Sequence, residues 1–210
     1  MAIPGGTRLY TESQTPVIPV ETGTLGCWVR FHGSPVMLSN RHVFAKWGGG
    51  VWLENPSNKP KPQRPSLIVA TVVTRRTVLD AALAAPTTTT RLLHATHDII
   101  SLGPYQGFGS PTAGLEVVTY GATTQQRLEG ILTDPGIFTS NTVKKLGTKE
   151  QMTSPTFVIE GILSKSGDSG SAVLDKATRA LVGLVVGVRG GKTHMVPITD
   201  IVASLGIQPL

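Results

Sequence analysis

A single cysteine, Cys27, stands in 210 residues, so no disulfide can close within the chain and the fold must hold by packing. It sits in the apolar run Leu25-Gly26-Cys27-Trp28-Val29, which reads as a small buried hydrophobe rather than a reactive thiol. Charge is sparse as well, at 15% of residues, and aromatic side chains make up only 5%. The net charge of +6 comes from basic residues that are scattered, apart from groups such as Lys59-Pro60-Lys61-Pro62-Gln63-Arg64, with no aromatics interleaved. That pattern is a solubilising surface, and no nucleic-acid partner is expected. No apolar run approaches the ~20 residues of a membrane span, so no membrane association is expected either. Residues 1–16 carry neither a basic start nor an apolar h-region, and a secretory signal is therefore not expected. With the lone cysteine, this leads to the expectation of a cytoplasmic protein.

What the chain does have is apolar mass and punctuation. Hydrophobic residues reach 40%, enough for a sizeable core at this length, and 24 glycines and 15 prolines cut the sequence into short pieces. Strands are expected at residues 23–31 and 36–39, joined by His32-Gly33-Ser34-Pro35, and at 51–53, 66–73, 77–83 and 99–102. A Pro- and Lys-rich loop covers 55–65, and the threonine run at 87–90 reads as surface loop. Residues 107–114 form the best seam, dividing the chain into units 1–110 and 111–210. Beyond it, strands are expected at 115–120, 127–133, 156–163, 171–174 and 181–188. One short helix is expected at 199–204, with Thr199 as its N-cap. Many strands without βαβ alternation indicate an all-β barrel or sandwich.

Chemistry concentrates in Gly167-Asp168-Ser169-Gly170-Ser171-Ala172. A tight Gly-Asp-Ser-Gly bend exposes one serine oxygen and aims successive N–H groups at a point beside it, as acyl transfer requires. Such a nucleophile needs a base, and of five histidines His42 lies just beyond an apolar strand end. The base in turn needs a carboxylate. Asp80 lies among apolar neighbours in Leu79-Asp80-Ala81-Ala82-Leu83, where an unpartnered aspartate would be costly; Asp98 is the competitor, preceding Ile99-Ile100. The cluster His94-x-x-His97-Asp98 lacks further ligands at sensible spacing, so it reads as a solvated loop, and no metal or other cofactor is expected.

In this order His42, Asp80 and Ser169 resemble the triad of the chymotrypsin/trypsin-like serine proteases, bacterial type. Leu38-Ser39-Asn40-Arg41-His42-Val43 resembles the family's His motif, Asp80-Ala81-Ala82-Leu83-Ala84 its Asp motif, and the stretch from Gly121-Ala122-Thr123-Thr124 to Gly130 the strand pair that opens its second barrel. The resemblance implies an all-β fold of two packed six-stranded antiparallel barrels. It assigns His42 and Asp80 to the first barrel, and Ser169 with the oxyanion-hole amides of Gly167 and Ser169 to the second. It implies a serine endopeptidase acting on a polypeptide substrate, with an intracellular regulatory partner as a further expectation. A catalytically dormant binding module on the same fold and a viral or phage precursor-processing protease are the alternatives. Leu163 falls at the pocket floor, and Val186, Gly187 and Val188 on the strand that binds substrate backbone. These imply an apolar or small side chain before the scissile bond, while Lys165, Arg189 and His194 leave an acidic one open. Digestive members begin at a cleaved Ile-Val-Gly-Gly end that pairs with the aspartate before the serine. Ile3-Pro4-Gly5-Gly6 departs from that pattern, so Asp168 is expected to find other partners without zymogen cleavage.

Overall fold

Runs of Val, Thr, Leu and Ala broken by glycine and proline form sixteen strands and one helix among the described residues. The computed structural model describes residues 2–12, 20–44, 46–53, 68–75, 79–87, 94–143 and 149–210. The loop at 55–65, the starts of the strands expected at 66–73 and 77–83, and residues 88–90 of the threonine run lie outside them.

The first half contributes β1 (Arg8–Glu12), β2 (Val20–Thr24), β3 (Cys27–Phe31), β4 (Ser34–Ser39), β5 (Gly50–Trp52), β6 (Ala70–Arg75) and β7 (Ala82–Pro86), followed by a small pair, β8 (Asp98–Ile99) and β9 (Gly103–Pro104). The second contributes β10 (Glu116–Tyr120), β11 (Arg127–Val143), β12 (Lys149–Glu160), β13 (Ala172–Asp175), β14 (Leu181–Arg189), β15 (Lys192–Pro197), α1 (Ile198–Leu205) and β16 (Gln208–Pro209). The strands β10-β11-β12-β15-β14-β13 close into a barrel. Its counterpart is a curled eight-stranded sheet in the order β16-β3-β4-β7-β6-β5-β1-β2, in which β16 returns from the far end of the chain to pair with β3.

Period-two alternation sorts the side chains into three cores. On β3 and β4, Trp28 and Met37 turn into the first sheet's own core with Leu9, Val43 and Phe44. Their neighbours Cys27, Val29, Val36 and Leu38 face a shared core with Leu184, Val196, Ile198 and Ile201 from the second half. Val117, Leu132, Val173, Val185 and Met195 fill the closed barrel. Each fully buried side chain of this kind contributes about 1.5–3 kcal/mol, which explains how the fold dispenses with disulfides. Cys27 is buried in the shared core, and desolvation pushes its thiol far up, away from reactivity.

Several expected boundaries move. The run at 23–31 is two strands, because Leu25 and Gly26 turn the corner between β2 and β3. The hairpin that follows is tighter than expected, with Phe31 already opposite Ser34. Strands β11 and β12 run well past 133 and begin well before 156, since their mutual pairing continues across an irregularity at Thr133/Pro135. Only Arg127–Ile131 meets β10 and only Phe157–Ile159 meets β15, so the remainder is a two-stranded ribbon. The expected N-cap is corrected as well. Helix α1 starts at Ile198 after Pro197, with no side-chain cap, and ends at Gly206 in the left-handed region.

Candidate active site

The antiparallel register of β4 on β7 pairs Ser39 with Ala82, which brings the residues just past one strand beside those just before the other. His42 and Asp80 occupy those places. A single tight turn, closed by Phe44 N–H on the Asn40 carbonyl at 3.0 Å, swings His42 back over the strand end. Asp80 is fully buried, and both of its oxygens meet His42. Oδ1 accepts the His42 backbone N–H at 3.0 Å, and Oδ2 meets His42 Nδ1 at 2.6 Å. A carboxylate accepts only, so Nδ1 carries the proton and Nε2 is the nitrogen with the lone pair. Asn40 Nδ2 donates to the Asp80 backbone carbonyl at 2.8 Å, which fixes the peptide from which the carboxylate hangs. Between the two candidate carboxylates the geometry therefore selects Asp80. Asp98 is exposed and accepts from the Thr96 hydroxyl, and His97 Nε2 lies 3.0 Å from the Leu210 carbonyl oxygen. Among the described residues no group of three or more His, Cys, Asp or Glu is placed to hold a metal ion.

Ser169 sits on the bend between loop 161–167 and β13. Gly167 (φ 97°) and Gly170 (φ 94°) both adopt the left-handed region, and a Cβ on Gly170 would strike Ser39 Oγ and the Thr24 carbonyl. The bend is tied by Asp168 N–H to Lys165 O (2.9 Å), Gly170 N–H to Val185 O (2.8 Å) and Ser171 N–H to Asp168 O (3.0 Å). Within residues 167–171, the amides of Gly167 and Ser169 have no acceptor among the described residues. The Ser169 hydroxyl donates to the Val186 carbonyl at 2.9 Å, and no hydrogen bond joins it to His42. Val186 is able to offer that carbonyl because the β14–β15 ladder slips between Val185 and Gly187.

Asp168 is 98% buried and is held by neutral donors alone. Its Oδ1 accepts Thr123 N–H and Thr124 N–H, each at 2.9 Å, while Oδ2 accepts Lys165 N–H at 2.8 Å and the Thr124 hydroxyl. Gly121-Ala122-Thr123-Thr124 is the turn that joins the expected strand pair, β10 and β11, and its amides point at Asp168. Arg8 of β1 braces the same turn from the first sheet, donating to the Ala122 carbonyl at 2.7 Å and the Thr123 hydroxyl at 3.4 Å. The stretch Ile3-Pro4-Gly5-Gly6 goes elsewhere: Ile3 is buried in the first sheet's core and its carbonyl accepts the Trp28 indole N–H.

The pocket-floor assignment of Leu163 is corrected, because its side chain is 62% exposed where a floor residue would be covered. Val188 is also exposed, Gly187 half-buried and Val186 buried. The polar residues packed between this loop and β15 are Ser164, Thr193 and His194. Thr193 Oγ1 donates to Ile162 O and accepts Ser164 N–H, and His194 Nδ1 lies 3.2 Å from Thr156 Oγ1. Burial holds the His194 imidazole below its ordinary pKa. Lys165 and Arg189 extend into solvent. Sequence reasoning missed Thr24, Arg8 and Thr124 as site residues, and their only signal was polarity beside an apolar strand.

No protein-family model matches the chain, and no curated protein matches it by sequence. Solved structures do match in fold. Protease A of Thermobifida fusca superposes with a TM-score of 0.69 at 19% identity, covering 100% of this chain and 99% of its own. The chymotrypsin of Cellulomonas bogoriensis gives 0.68 at 17% identity over 100% and 99% of the two chains. An alpha-lytic protease homologue, N4, gives 0.71 at 17% identity over 99% of each. The chain has the chymotrypsin-like two-barrel fold.

Proposed function

We propose that this chain, built on the chymotrypsin-like fold, is a serine endopeptidase that cleaves a polypeptide through an acyl-enzyme. The observation that carries the reading is the His42–Asp80 pair, tautomer set by a buried carboxylate, beside a serine bend with two unused amides. In this reading Ser169 Oγ attacks the scissile carbonyl carbon while its proton passes to His42 Nε2. The Asp80 carboxylate stays ionised and balances the imidazolium. The Gly167 and Ser169 N–H groups take the negative charge that develops on the carbonyl oxygen, an interaction worth about 3–4 kcal/mol per donor in such sites. The proton on His42 then moves to the leaving amine, and water repeats the sequence on the acyl-enzyme.

Attack requires Ser169 Oγ to leave the Val186 carbonyl for His42. A peptide lying along β14 supplies the exchange, since its own N–H takes over the Val186 oxygen that the serine vacates. Val188, exposed on the strand along which the peptide lies, favours an apolar or small side chain before the scissile bond.

The Ser169 rotamer also suits a second reading, a dormant module on the protease fold. Labelling with a fluorophosphonate separates the two. Covalent modification of the folded wild type and none of Ser169→Ala supports the peptidase; an unlabelled wild type sinks it. A peptide-library cleavage profile then reads the preferred side chain.

A further inference from the structure

Thr24, the last residue of β2, has no exposed surface, yet it belongs to the first sheet and touches the serine bend of the second barrel. Its hydroxyl and backbone N–H are spent across that junction, and its carbonyl within the first sheet. The hydroxyl donates to the Gly167 carbonyl at 2.8 Å and accepts Ala122 N–H at 3.2 Å. The backbone N–H donates to the Ser169 carbonyl at 2.9 Å, and the Thr24 carbonyl accepts the Ser39 hydroxyl at 2.8 Å.

Two consequences follow from these partners. Gly167 and Ser169 are the residues whose amides have no acceptor, and Thr24 holds the carbonyl of each, so it limits rotation of the bend that aims those amides. Ser39, meanwhile, ends the strand that leads into His42, so the same residue ties the base-bearing strand to the nucleophile bend. The surfaces are too close for slack: a Cβ on Gly26 would meet the Gly170 carbonyl at 2.7 Å.

We infer that Thr24 is a positioning residue, whose hydroxyl locks the Gly167–Ser169 bend in register with His42 across the junction of the two sheets. Its catalytic consequence rests on the peptidase reading; its structural one does not. A misplacement of about 1 Å at such a site costs roughly a hundredfold in rate, and losing one oxyanion donor costs roughly a hundred- to a thousandfold.

The test compares Thr24→Val, which keeps the shape and removes the hydroxyl, with Thr24→Ser, which restores it. Two readouts are taken: the rate of fluorophosphonate inactivation, and hydrogen exchange at the Asp168, Gly170 and Ser171 amides. The expected result is a ten- to hundredfold slower inactivation of T24V with faster exchange at those amides, exchange within β14 unchanged, and T24S close to wild type. Wild-type inactivation of T24V overturns the inference, whether or not exchange changes; so does a failure of T24S to rescue. An inert wild type removes the peptidase reading instead, and exchange alone then decides whether Thr24 locks the bend. If T24V does not fold, Thr24→Cys, similar in size with a weak donor, carries the same comparison.

Discussion

Two buried aspartates, one in each half, do opposite kinds of work. Asp80 turns both oxygens to His42, whose Nε2 gains and then gives up a proton in the proposed reaction. Asp168 gives its oxygens to three amides and a hydroxyl that never change state, and thereby holds loop, turn and serine bend together. A buried carboxylate is costly without compensation, and both have it. In the proposed reaction one carboxylate serves the chemistry and the other the architecture, a division read from what donates to each.

Substitutions at the two positions test that division. Asp80→Asn is expected to have the largest effect on turnover, on the order of a ten-thousandfold loss in kcat, because the ring is then held in the wrong tautomer. Its thermal midpoint should move little, as the amide still meets His42 N–H and Nδ1. Asp168→Asn reverses the balance. Whichever way the amide turns, its NH2 faces a donor, so stability should fall by about 1–3 kcal/mol in denaturant titration. Activity should also fall, by roughly a hundred- to a thousandfold as the oxyanion amides lose their aim. Equal stability losses in the two variants would dissolve the distinction. Thr124→Val removes one of the four donors to Asp168 and should cost about 1 kcal/mol; no loss would mean that the amides alone suffice.

The smallest effect contrasts these sites with a buried base outside both. His194 is held neutral by burial, its folded pKa lying below the unfolded value of about 6.5. The unfolded chain therefore binds the proton first, and this residue's stability contribution is complete above that pH and lost as pH falls below it. His194→Gln should flatten the acid limb of stability against pH below about 6.5. An unchanged slope would show that the ring titrates alike in both states.

The local geometry legible in advance was that written in contiguous residues. Gly167-Asp168-Ser169-Gly170 announces a bend whatever surrounds it, and the Asp80 neighbourhood announces a carboxylate that needs a partner. The parts misread depended on residues far apart in the chain. Leu163 was placed at a pocket floor by counting back from the serine, but loop 161–167 turns that side chain outward while Ser164 faces Thr193. Strand β15 was missed because Lys192-Thr193-His194-Met195 lacks apolar alternation; Thr193 and His194 are buried beside Ile162, Ser164 and Thr156. The turn at Gly121 to Thr124 falls between the strands expected at 115–120 and 127–133, but that its amides serve the Asp168 carboxylate depends on a contact more than 40 residues away.

From composition and order alone came the all-β class, the reliance on packing without disulfides, and the candidate residues His42, Asp80 and Ser169. Period-two alternation and glycine-rich bends are local properties of the chain, so no tertiary contact is needed to see them. Which aspartate meets the base, what satisfies Asp168, and how Thr24 and Arg8 reach over 100 positions along the chain to hold the serine bend and its bracing turn were decided only by the folded chain. Hydrogen bonds between two sheets depend on how the sheets dock, and docking is set by the shared core of Leu38, Leu184 and their neighbours rather than by any one segment.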